Sequence, residues 1–238
     1  VLEAAARAVE RLVAVALTAG PPSQAASVDV NVELGGGRSL VGTVPGVVGD
    51  VVQAVTYSKL GPKPRLVAWA HLLALTASHP ERPFRSAVVG RAREGEGVEV
   101  ATAGPLGESP GERRQVALGH LATLVELFER AMREPLPLYL KTSAAYAATV
   151  AGLRGRRSRP GEEARKEWES DWRFDLEDRD PEHRLVLGGV VPFAQVLAAT
   201  PAPGEGGPGW ADDEPSRFGR LSRRLWAPVL ASERVVHQ

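Results

Sequence analysis

The chain has 238 residues, 43% of them hydrophobic, which is enough apolar material for a packed core and excludes wholesale disorder. Its 29 basic and 29 acidic residues exclude a strong overall pull on nucleic acid but leave room for a local basic face. With no cysteine it has no disulfide, zinc ribbon, iron–sulfur cluster or thiol nucleophile, which suits an intracellular protein, and no run reaches the roughly 18 apolar residues of a membrane span.

In VLEAAARAVERLVAVAL, acids and arginines at helical spacing exclude a signal peptide. Leu2, Ala5, Val9, Leu12, Val13 and Ala16 recur at three- and four-residue steps and predict an amphipathic helix over 2–18, closed by Pro21 and Pro22. The sequence does not begin with Met, so a fragment of a longer protein is expected. SVDVNVEL (27–34) alternates as a half-buried strand, Gly35-Gly36-Gly37 turns, and RSLVGTVPGVV returns as a second strand. The three glycines read as a hairpin turn, because a phosphate cradle needs a helix to follow and a strand follows here. DVVQAVTYSKL (50–60) predicts a third strand and RLVAWAHLLALTAS (65–78) a buried helix, apolar around most of its surface. FRSAVVGRA (84–92) and GVEVATAGPL (97–106) complete a meander of about five strands.

From Gly111 the pattern turns helical. A stripe from Val116 to Met132 predicts a long helix ended by Pro135 and Pro137, and 141–153 predicts a second. Arg154, Arg156, Arg157 and Arg159 fall in a Gly/Ser/Pro context, hence a loop. PFAQVLAAT reads as a short helix led by Pro192, and TPAPGEGGPGW (200–210) as a flexible linker or long loop. The last helix sets Phe218, Leu221 and Leu225 on one face, with Arg217, Arg220 and Arg224 beside them.

The stretch Leu40–Leu75 has the order of a PD-(D/E)xK-type nuclease: strand, turn, strand, loop, helix. That chemistry needs carboxylates converging on divalent ions, with an acid and a lysine two residues apart on one strand so that alternation aims both at one side. Pro45 and Thr56 stand where the carboxylates belong, and Ser58 where the lysine belongs. Lys59 is out of step with Thr56, and Asp50, the only acid in the stretch, reads as turn chemistry after Gly49. An active site would need ligands from elsewhere, such as Asp29 or Glu33 with Asp50.

Other catalytic templates fail. The five histidines lack ligand spacing, His71 reads as a packed, hydrogen-bonded core residue, and no G-x-S-x-G, Walker A or strand-to-helix G-x-G-x-x-G occurs. Asp178, Asp180 and Glu182 lack the glycine and distal Glu of a calcium loop, so Asp180 ahead of Pro181 reads as a helix cap. The tryptophans form no spaced stacking platform. No cofactor or metal is implied. The arginines at 154–159 suit phosphate contact or plain solvation, and those at 217, 220 and 224 suit DNA, a partner subunit or solvation.

LGGGRSLVGTVPGV, VTYSKLGPKPRLVAWAHLLAL, REPLPLYLKTSAAYA (133–147), DPEHRLVLG (180–188) and RFGRLSRRLWAPVL (217–230) together resemble the C-terminal region of the RecC family, in an actinobacterial-type version. RecC is the gamma subunit of exodeoxyribonuclease V, the RecBCD helicase–nuclease. The resemblance runs in order over nearly the whole chain, each segment alone being weak. It implies an α/β (α+β) fold, a PD-(D/E)xK nuclease-like mixed sheet with flanking helices whose active site is lost, plus a helical C-terminal portion. Residues 1–110 would form the nuclease-like core and 111–238 the helical portion packed on it. The implied role is non-catalytic: holding DNA and touching RecB-like and RecD-like subunits in the cytoplasm, at the nucleoid, with no membrane. An active nuclease and a purely protein-binding scaffold are the competing readings.

Overall fold

A computed structural model describes residues 2–18, 24–93 and 95–238. Pro21 and Pro22, expected to close the first helix, lie outside the described residues. The chain divides into two units. One runs to Ala122 and takes in Ser232–Gln238, and the other is Thr123–Ala231.

In the first unit, helix α1 (Leu2–Leu17) precedes strands β1 (Ala26–Gly35), β2 (Arg38–Val48) and β3 (Val51–Lys59). The alternation of β1 sorts as predicted: Val30 and Val32 are buried, while Asp29, Asn31 and Glu33 face solvent. Gly35, Gly36 and Gly37 all take positive φ, which a hairpin this tight demands and side chains resist. Helix α2 (Pro62–Ser78) is buried as its composition predicts, with Leu72, Leu73, Leu75 and Ala77 fully enclosed. It leads to β4 (Arg85–Arg91) and β5 (Val98–Ala103), and β6 (Glu233–His237) completes a sheet of order β1-β2-β3-β4-β5-β6.

The expected five-stranded meander is therefore corrected twice. A helical crossover returns the chain to the end where it began, so β3 and β4 pair in parallel. The sixth strand, ERVVH, follows directly on the last helix, and its five residues carry too little alternation to read as a strand. The sheet has a helix on each face. Leu12 of α1 packs with Val89 and Val98, while Ala68 of α2 packs with Val88, Ala101 and Leu60. Val88 and Val89 point oppositely because side chains alternate along a strand.

β3 is irregular at its end. Val55 pairs with Val89 and Lys59 with Arg91, so four steps on β3 oppose two on β4. The bulge folds back until Leu60 N–H donates to Arg91 O at 2.9 Å. Gly90 permits that approach, since a Cβ there would lie 3.1 Å from the Leu60 backbone. Helix α3 (Pro110–Ala131) enters this unit through Arg113, which donates to Pro80 O at 2.8 Å, and His120, whose ring lies 5.4 Å from that of Trp69.

The second unit contains α4 (Leu140–Val150), α5 (Pro160–Trp168), α6 (Pro181–Leu187), α7 (Phe193–Leu197) and most of α8 (Arg217–Ser232). Its core is aromatic. Tyr139, Tyr146, Trp168, Phe193 and Phe218 cluster, with Phe218 edge-on to both Tyr146 and Phe193. Phe218 and Leu221 are buried as predicted, Leu225 is half-buried, and Trp226 is fully buried on the same helix. Asp180 occupies the residue before α6, but its carboxylate makes no capping bond. It lies instead 3.6 Å from His183 Nδ1, so the predicted cap is corrected to a side-chain contact.

Candidate nucleic-acid interface

Pro45 is exposed on β2, next to the short β2–β3 ladder of Val47–Val52 and Val48–Val51. It also lies where the β1–β2 register slips between Val28–Val44 and Ala26–Val47, a place that tolerates a missing N–H, and the β2–β3 register would set it against Ala54, two residues short of Thr56. Thr56 and Ser58 sit in the β3 bulge, where Ser58 N–H donates to Thr56 Oγ1 at 3.2 Å. Strict alternation fails across this bulge, so Lys59 need not oppose Thr56 as the sequence pattern implies. The Lys59 ammonium donates to Arg93 O at 3.0 Å.

Asp50 closes the β2–β3 turn and accepts from Arg82 Nε at 2.8 Å, while the same guanidinium donates to Gly49 O. Asp29 accepts from Thr43 Oγ1 at 2.7 Å across the β1–β2 hairpin, and Glu33 pairs in register with Ser39. Asp50 and Asp29 thus serve their own turn and hairpin. Among the described residues no three His, Asp or Glu side chains gather as a metal site requires.

The seven arginines divide by environment. Arg156 and Arg157 are exposed on the loop before α5. Arg154 lies 3.8 Å from Glu163, and Arg159 lies 3.5 Å from Glu162 with most of its side chain in solvent. These pairs are open enough to yield to a phosphate. The helix stripe is held differently. Arg217 donates to Glu205 Oε1 at 2.8 Å and to Glu134 Oε2 at 2.9 Å. Arg220 donates to Glu214 O at 2.8 Å, and Arg224 to Glu126 Oε2 at 2.7 Å while covering the Trp210 ring.

Glu205, 1% exposed, also takes Arg130 at 2.8 Å and the Ala202 N–H at 2.8 Å. Burial opposes the Arg217 charge, but Glu205 and Glu134 outweigh it and raise the guanidinium pKa. Hydrogen bonds from Arg217 and then Arg130 hold Glu134 below the usual carboxylate range. This network straps the 200–216 segment to its own unit, making it a long loop rather than a linker. The sequence signal was an acid-bearing Gly/Pro segment 6–15 residues before an Arg-rich helix, but Glu134 and Glu126 join from 83 and 98 residues away.

Sequence reasoning missed a second cationic surface, in the first unit. Arg7 and Arg11 of α1, Lys59 at the end of β3 and Arg91 at the end of β4 line a cleft of about 220 Å³, with Glu96 the one acid of its lining among the described residues. Arg7 and Arg11 are one helical turn apart, and Lys59 and Arg91 are register partners, so only the folded sheet brings the four together.

Among the described residues no helix is long and apolar enough to cross a membrane. Residues 1–151 match the family described as the RecC C-terminal domain. The chain is 38% identical over 206 residues to the RecBCD enzyme subunit RecC of Mycobacterium tuberculosis, covering 86% of this chain and 17% of that protein. It is 39% identical over 217 residues to the RecBCD enzyme subunit RecC of Mycolicibacterium smegmatis, covering 87% of this chain and 18% of that protein. The chain thus spans under a fifth of the length of these relatives, and it belongs to the RecC C-terminal domain family.

Proposed function

We propose that the chain is a non-catalytic domain of a RecC subunit, holding DNA and docking RecB-like and RecD-like subunits in a RecBCD-type helicase–nuclease. Its work would lie in double-strand break repair and homologous recombination, in the cytoplasm and at the nucleoid. The family match supports the place in the complex.

The non-catalytic reading rests on β3. Where a PD-(D/E)xK nuclease sets an acid and a lysine, this chain has a bulge carrying Thr56 and Ser58. The nearby carboxylate, Asp50, is tied to Arg82. Pro45, Thr56 and Ser58 are then positions where catalysis was lost while the sheet was kept. The DNA-holding reading rests on the exposed loop of Arg154, Arg156, Arg157 and Arg159, whose guanidinium forks match phosphate oxygens. Arg217, Arg220 and Arg224 are engaged within their own unit, and their part in DNA contact is the smaller one.

The test is fluorescence anisotropy with a labelled duplex against the chain and its Arg156→Ala/Arg157→Ala variant. Weaker binding at every DNA sequence is the expected result, with a salt slope reduced by about 0.9 for each phosphate that the variant no longer neutralises. Negligible affinity for DNA, unchanged in the variant, would favour a scaffold that binds protein alone.

A further inference from the structure

We infer that the cleft at the C-terminal ends of β3 and β4 is a second phosphate-binding site, one that takes the backbone of a nucleic-acid strand. The inference rests on the DNA-holding reading above and places a contact in the N-terminal unit. Several arginines of this chain lie beside an acid: Arg82 with Asp50, Arg93 with Glu99, Arg179 with Asp175, Arg223 with Asp213. In the cleft positive charge is gathered in excess. Among the described residues four cations line it with one acid, Glu96, in a chain whose net charge is zero.

The cleft is also built. Arg91 Nε donates to Tyr57 O at 2.7 Å, and the guanidinium lies 4.6 Å from the Tyr57 ring centroid. Nε is thereby anchored and the ring backs the fork, as a guanidinium meant for bidentate recognition requires. Lys59 is steadied by Arg93 O at 3.0 Å. Arg7 and Arg11 are exposed on α1. The β3 bulge that carries Thr56 and Ser58 also delivers Lys59 to this cleft and Tyr57 to the Arg91 guanidinium. Like charges held this close repel one another, and an extended phosphate chain relieves that repulsion while leaving sequence unread.

The test is anisotropy with a labelled single-stranded oligonucleotide and a labelled duplex, across a salt series, on the chain and on Arg7→Ala/Arg11→Ala. Both replacements lie on an exposed helix face, and circular dichroism checks that helix content is kept. The expected result is about tenfold weaker binding in the variant, with a salt slope smaller by one to two phosphate contacts. Unchanged binding in Arg7→Ala/Arg11→Ala, beside weakened binding in Arg156→Ala/Arg157→Ala, would overturn the cleft and leave the DNA-holding reading standing. No binding by the parent chain would overturn both. A labelled nucleoside triphosphate that binds as tightly as the oligonucleotide would make the ligand a free phosphate compound and overturn the strand assignment.

Discussion

Glu205 sits in a Gly/Pro-rich stretch that reads as a linker, yet it is almost fully buried between Arg130 and Arg217. Its carboxylate neutralises two largely buried guanidiniums, and Glu205→Ala leaves both to share the half-exposed Glu134. A cost of about 3–5 kcal/mol is expected, seen as a lowered chemical-denaturation midpoint and faster proteolysis within 200–216. The arginines of α8 were legible as a stripe, but Glu134 and Glu126 were not legible as partners, because they lie 83 and 98 residues away. Asp50 shows the reverse case: a Gly-Asp turn was legible from two residues, and Arg82 adds the ion pair. His71 and His120 carry a pH prediction. Burial lowers both pKa values below 6.5, so the folded chain prefers their neutral forms. The unfolded chain binds more protons as pH drops below 6.5, so stability is full above that value and falls beneath it. A denaturation series over this range is expected to show the loss, and His120→Asn to flatten part of it.

Elements whose stability is local were readable, and those defined by distant pairing were not. The alternation of β1 and the apolar girth of α2 are properties of their own residues, and both elements form where the sequence predicts. The parallel β3–β4 pairing, the β3 bulge and β6 are properties of the sheet. β6 can be tested strand by strand. Val98 and Gln238 exchange two backbone hydrogen bonds, so alternation makes Val100–Val236 the next bonded pair and turns the Val235 N–H to the open edge. Val236→Pro is expected to cost about 1–3 kcal/mol and Val235→Pro far less, which thermal melts of the two variants would distinguish. Helix α4 gives a second case. Tyr139 cannot cap it, and Glu177 does so from another element, accepting the Lys141 and Thr142 N–H groups and the Thr142 hydroxyl. Glu177→Ala is expected to cost about 2 kcal/mol or more, with faster hydrogen exchange at the α4 N-terminus.

At the scale of the whole molecule, the family was legible from five weak segments in order, because order constrains far more than any one segment. The loop arginines were legible as candidates because four in six residues need no fold to stand out. The cleft was not, since its four cations are spread over 85 residues and meet only where α1 crosses the ends of two parallel strands. The proposed loss of catalytic acids and the proposed phosphate contacts form one account, in which the sheet would keep hold of DNA and leave the bond intact. Its most direct test is a gel-shift of end-labelled duplex DNA with the chain in Mg²⁺, with the bound DNA recovered and sized. The account predicts a retarded band containing full-length DNA. Shortened DNA that appears only with Mg²⁺ and disappears in Asp50→Ala would contradict it.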